Sequence, residues 1–165
     1  MQHVQTRSTT SALVLTAVLI ALATLFTMYT KIPVPGIRGY FNVGDVVIMT
    51  SALLLGRKYG AYIGALGPAL ADLFLGYAVF VPITFVVKGI EGYLVGTVYN
   101  NKTTTSALVA TIVGGIVIVA GYFIAEYFVF DPGVAIASIL TNTIQAVMSV
   151  IISMILYAIL RKRLG

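Results

Sequence analysis

The chain has 165 residues, 59% of them hydrophobic and 9% charged, with a formal net charge of +5. That composition excludes a disordered segment and a soluble globular domain, and it leaves room for about six spans of roughly 20 residues but not for a separate catalytic domain. Cysteine is absent and the single histidine, His3, lies in the polar N-terminal tail, which excludes a disulfide frame, thiol chemistry and a histidine-based metal site.

In chain order, the hydropathy and the Pro/Gly breaks predict an all-α membrane protein. It reads as a bundle of six transmembrane helices forming one integral membrane domain over residues 1–165. Helix 1 is expected at 9–30. Its apolar run is longer than a signal-peptide core and lacks a clear cleavage site, so it reads as a membrane helix. The loop 31–44 holds Pro33, Pro35, Gly36 and Gly39, which argues against a helix through it. Helix 2 is expected at 43–56, with Asn42 as its N-cap and Asp45 near the positive end of the helix dipole. It is too short to span the hydrocarbon, so the preceding loop is expected to fold over its outer end. Arg57 and Lys58 read as a basic turn before helix 3 at 59–75. Helix 4 follows at 81–100, helix 5 at 106–128 and helix 6 at 134–160, with Asp131-Pro-Gly133 as a turn between the last two.

Six spans place both termini on one side. Arg7, Arg57, Lys58, Lys102, Arg161, Lys162 and Arg163 fall on that side, against Lys31 and Arg38 on the other. The positive-inside rule makes the first side cytoplasmic. The basic excess is then explained by a lipid bilayer, without nucleic acid.

Asp72, Lys88, Glu91 and Glu126 interrupt otherwise apolar stretches. A charge near the bilayer centre costs about 2.5–3.5 kcal/mol on insertion scales, so such groups face a bundle interior or a solute path. Lys88 and Glu91 are three apart and share a helix face. They either neutralise each other or face a ligand. Asn142 and Gln145, also three apart, are either interhelical glue or part of the same cavity. Asp72 reads as an interfacial cap, a partner of Lys88 or a ligand contact. Glu126, near an outer helix end, reads as reaching water. Tyr40, Phe41, Tyr77 and Phe80 cluster in the outward loops, either as an interfacial aromatic belt or as stacking surfaces for a flat ring. Ala17-Val-Leu-Ile-Ala21, with Leu13 and Thr24, makes a smooth strip suited to close helix contact. No nucleotide-binding loop, nucleophile–base set or metal-ligand cluster is present, so no catalysis and no bound cofactor are expected.

Three stretches carry a resemblance. They are Tyr40-Phe-Asn-Val-Gly-Asp-Val-Val, Gly64-Ala-Leu-Gly-Pro-Ala-Leu-Ala-Asp-Leu-Phe-Leu-Gly-Tyr77 and Phe85-Val-Val-Lys-Gly-Ile-Glu-Gly92. Their order and spacing resemble the substrate-binding S component of energy-coupling factor (ECF) transporters, in particular the riboflavin-type branch. The resemblance implies a vitamin-binding membrane subunit with an outward pocket, lidded by the first loop. It also implies docking of the Ala17/Ala21 surface on a membrane coupling T subunit, energised by two cytosolic ATPases that use the ATP. Tyr40, Phe41, Asp72, Tyr77, Phe80, Lys88, Glu91, Asn142 and Gln145 are then the expected substrate contacts. Riboflavin is the first expectation. The lack of tryptophan keeps hydroxymethylpyrimidine, a thiamine-related compound or another vitamin as alternatives. Outside the resemblance, the residues also admit a small ion-coupled carrier, with Lys88 and Glu91 as a proton relay, or a structural assembly subunit.

Overall fold

The computed structural model describes residues 9–33, 40–99 and 103–164. His3, Arg7, Pro35, Gly36, Arg38, Gly39, Asn100 and Lys102 lie outside the described residues, as does the side chain of Arg163.

Among the described residues there are six helices: α1 Thr9–Tyr29, α2 Asp45–Leu55, α3 Arg57–Phe74, α4 Phe80–Val98, α5 Thr104–Val129 and α6 Pro132–Leu164. α1, α4, α5 and α6 are long and apolar enough to cross a bilayer. α2, with 11 residues, reaches only about 16 Å. It is the central strut rather than a span. Val46, Ile48, Met49, Ala52 and Leu53 are all buried, and Met49 and Ala52 form a core with Val95 of α4, Ala107 and Ala110 of α5, and Ala146 and Tyr157 of α6.

The first loop contains a short antiparallel ribbon that sequence alone did not suggest. β1 (Ile32–Pro33) pairs with β2 (Tyr40–Phe41), Ile32 opposite Phe41 and Pro33 opposite Tyr40. Val43 N–H donates to the Thr30 hydroxyl at 3.0 Å, tying the ribbon's exit to the end of α1.

Several expected boundaries move for local reasons. Asn42 is not the N-cap of α2. Its Oδ1 accepts from Gly44 N–H at 2.8 Å, Gly44 takes the cap position without a side-chain bond, and the Asp45 side chain turns inward. Arg57 and Lys58 are the first turn of α3, because Gly56 alone, at φ +88°, reverses the chain. Asp131-Pro-Gly133 opens α6 instead of separating it from α5. Asp131 Oδ1 accepts from Val134 N–H at 3.0 Å and Pro132 occupies the first helical position, where its missing N–H costs nothing.

The packing of α3 depends on its glycines. A methyl group at Gly64 would lie 2.1 Å from the Lys88 carbonyl oxygen, and one at Gly60 would lie 2.6 Å from the Gly92 carbonyl. The α3 and α4 backbones therefore touch directly, and the contact fixes the height of Lys88 in the bundle. On the other side of α3, Gly67 admits Ala23 of α1, and the Thr24 hydroxyl donates to the Gly67 carbonyl at 2.9 Å. Thr24 is thus buried and not part of the α1 outer strip. Ala17 and Ala21 are exposed on that strip, next to the exposed Leu13 and Val18.

Candidate functional site

The site begins with one buried cation. Lys88, on the inward face of α4, is 1% exposed, and its ammonium donates to Asp45 Oδ1 at 2.5 Å. Glu91 Oε2 is farther away, at 3.4 Å, and neither Glu91 oxygen makes a hydrogen bond. The intramembrane pair expected as Lys88–Glu91 is thus a triad in which Asp45 is the nearer acid. Gln145 of α6 locks it in place. Its Nε2 donates to Asp45 Oδ2 at 2.7 Å, and its Oε1 accepts from Asn42 N–H at 3.0 Å. An ion pair taken out of water is tolerable only with such added bonds.

Above this triad lies a polar cavity of about 30 Å³, room for about one or two water molecules. Lys88 and Gln145 form part of its wall, with Thr27 of α1, Pro68 and Asp72 of α3, Phe80 and Thr84 of α4, Tyr122 and Glu126 of α5, and Ser138 and Asn142 of α6. Tyr40 and Asn42 close it from the ribbon side. The Tyr40 hydroxyl donates to Asp72 Oδ1 at 2.5 Å, a direct tie between β2 and α3. Burial, with the adjacent Asp72 carboxylate, pushes the Tyr40 phenol well above the ordinary tyrosine range, so it stays a donor. Tyr122 shares a 3.0 Å hydroxyl contact with Thr84 and presents its ring to the Lys88 ammonium, 5.4 Å from the centroid.

Six of the expected contact residues therefore share one cavity: Tyr40, Asp72, Phe80, Lys88, Asn142 and Gln145. Three stand outside its wall. Tyr77 packs on Tyr40 with ring centroids 5.0 Å apart and on Phe80 at 6.4 Å, extending a row of rings over the cavity. Phe41 pairs with Ile32 in the ribbon. Glu91 lies behind Lys88. One expectation is corrected. Glu126 does not reach water; it is 4% exposed, faces the cavity and accepts a hydrogen bond from the Ser138 hydroxyl. α6 starts one short turn after α5 and folds Ser138 back over it. Thr27, Asp45, Thr84, Tyr122 and Ser138 were not anticipated at the site. Asp45 carried a signal, since it is an acid in an apolar stretch like the others, but its place at a helix start offered a sufficient local explanation. A lone hydroxyl such as Thr27, Thr84 or Ser138 in an apolar helix carries none.

Comparisons with known proteins bear on this arrangement. A family model described as the S component of the ECF-type riboflavin transporter matches residues 7–162. A protein of Pyrococcus woesei, described only as an uncharacterised protein in a gap 3′ region, is 42% identical over 145 residues, covering 86% of this chain and 96% of the relative. The thiamine precursor transporter HmpT of Lactococcus lactis subsp. cremoris is 30% identical over 149 residues, covering 89% of this chain and 83% of that protein. Among solved structures, the S component of a bacterial ECF transporter superposes with a TM-score of 0.77 at 21% identity, over 94% of this chain and 98% of that one. The biotin S component of an ECF-type ABC transporter superposes at 0.65 and 19% identity, over 94% of each chain. The fold is thus that of ECF S components, and with a family match across almost its whole length this membrane chain belongs to the ECF-type riboflavin transporter S component family.

Proposed function

We propose that this protein is the substrate-binding subunit of an ECF-type vitamin uptake transporter, taking a water-soluble vitamin or vitamin precursor into the polar cavity, which widens to admit it when the β1–β2 ribbon lifts. The observation that carries the reading is the buried polar chamber around Lys88, built by five helices in a chain that otherwise exposes apolar surface. A bundle that needed only packing has no use for so many buried acids, which are costly in a membrane. The family points to riboflavin, whereas the relative of known substrate points to a thiamine precursor.

In this reading substrate enters from outside, with both termini in the cytoplasm of a cell whose plasma membrane holds the protein. Tyr40, Phe41, Tyr77 and Phe80 bracket its ring. Lys88, Asn142 and Gln145 meet its polar edge, and Glu91 holds Lys88 from behind. The ribbon acts as the lid, and Tyr40–Asp72 is its catch. The exposed Ala17/Ala21 strip of α1 docks on the coupling T subunit, and ATP is hydrolysed by two cytosolic partners. The test is denaturing mass spectrometry of small molecules that co-purify with the gently solubilised protein. A stoichiometric vitamin is expected, and adding it at 100 times its Kd to stripped protein should stabilise the fold by about 2.7 kcal/mol. A protein that carries no ligand and gains no stability from a vitamin panel refutes the reading.

A further inference from the structure

The cavity has a sign. The chain has five acidic residues, and four of them, Asp45, Asp72, Glu91 and Glu126, are buried at its wall or directly behind Lys88. Lys88 is the only described cation among them, and both ion pairs it makes are with Asp45 and Glu91. Lys31, at the lid, is seated over the Tyr77 ring, 5.3 Å from its centroid. Asp72 and Glu126, on α3 and α5, have no ion-pair partner among the described residues.

The unfilled hydrogen-bond capacity points the same way. Asp72 is 2% exposed and its Oδ2 has no hydrogen-bond partner. The Thr84 hydroxyl beside Asp72 is shared with the Tyr122 hydroxyl, 3.0 Å away. Thr27 is 1% exposed and its hydroxyl is also unpartnered, as is Asn142 Nδ2. All three residues line the cavity. Buried polar groups left without partners are costly, and a ligand that completes them gains what the protein lacks. Lys88 and Gln145 each direct one donor to Asp45, so the cation's charge is already balanced within the triad and an anionic ligand meets two extra acids.

We propose that the cavity selects a small amino-substituted nitrogen heterocycle, protonated or fixed as a cation. Its N–H donors and positive charge face Asp72 and Glu126, and a ring nitrogen accepts from Asn142. The inference rests on the vitamin-binding reading and narrows it by charge: cationic or amino-bearing rings are favoured over a neutral flavin and over an anionic carboxylate. Specificity of this kind comes as much from rejection, since an anion beside two buried acids is repelled.

Calorimetric titration of the purified full chain with four probes tests it. Thiamine is a fixed cation, 4-amino-5-hydroxymethyl-2-methylpyrimidine an amino heterocycle, riboflavin neutral and biotin anionic. Binding of one of the first two at least about 100-fold tighter than riboflavin and biotin is expected, a gap of about 2.7 kcal/mol. Glu126→Gln and Asp72→Asn, which keep size but remove charge, should each weaken the preferred probe about tenfold or more. Tighter binding of riboflavin or biotin overturns the inference while leaving the binding-subunit reading intact. Absence of binding by every probe overturns the inference, and the binding-subunit reading falls with it only when the co-purification and the vitamin panel also find no ligand. Unchanged affinity in both folded variants overturns the role of the two acids.

Discussion

Tyr40 joins the lid to the site through a single hydrogen bond, and its chemistry makes that bond testable. With phenylalanine at this position, Asp72 Oδ1 loses its donor, and leaving a buried acceptor unmet costs about 1–3 kcal/mol. Tyr40→Phe should therefore melt lower than wild type at pH 7.5. The pH dependence carries a second signature. Burial raises the folded phenol above its ordinary value of 10.0, so the contribution of Tyr40 is fully present below about pH 10 and is lost as pH rises beyond it, where only the unfolded chain ionises. Thermal unfolding in detergent from pH 7.5 to 11 should show a shallower alkaline decline in Tyr40→Phe than in wild type. Equal slopes, with equal stability at pH 7.5, would mean that the catch contributes nothing. Single residues were also where sequence reading was least complete. Lys88, Asp72, Asn142 and Gln145 were legible because polar groups in apolar helices demand a partner. Asp45 and Glu126 were assigned to helix ends, where an acid has an ordinary role, and only the third dimension turns them inward.

At the scale of elements, the long apolar helices were legible because nothing else fits 20 or more apolar residues between polar breaks. Their ends were not, since Gly56, Asp131 and Pro132 act through backbone geometry that hydropathy does not register. The α3–α4 seam is carried by Gly60, Gly64 and Gly92, and its meaning comes from the distances. In a free helix, Gly64→Ala should stabilise by about 1 kcal/mol. Here the added methyl meets the Lys88 carbonyl at 2.1 Å, and backbone cannot move aside as a side chain can. Overpacking of this kind costs about 1–3 kcal/mol. Gly64→Ala should therefore unfold at lower temperature and bind the co-purifying vitamin more weakly, because it displaces Lys88. A variant that melts at or above the wild-type temperature would show that the two backbones are not in contact.

For the whole molecule, the charge asymmetry predicts an orientation, and the absence of cysteine makes it simple to read. Lys58→Cys, exposed at the start of α3, and Val79→Cys, 55% exposed just before α4, lie at opposite ends of the bundle. In intact cells an impermeant maleimide should label Val79→Cys and spare Lys58→Cys, with the pattern reversed in inside-out vesicles. Labelling of Lys58→Cys in intact cells would invert the protein and put the ribbon in the cytoplasm. The chamber itself is divided between two kinds of wall. Asp72, Thr84 and Lys88 stand on helices whose backbones are pressed together at Gly64 and Gly92, so their positions tolerate little change. Tyr122, Glu126, Ser138 and Asn142 stand on α5 and α6, and where α5 meets α4 at Gly121 the neighbour is the Val87 side chain, which can be exchanged for a smaller one. Descent can therefore revise one wall while the other is held. If the chamber is the ligand site proposed above, substitutions on α5 and α6 that spare Gln145 can alter what it holds without rebuilding the α3–α4 frame.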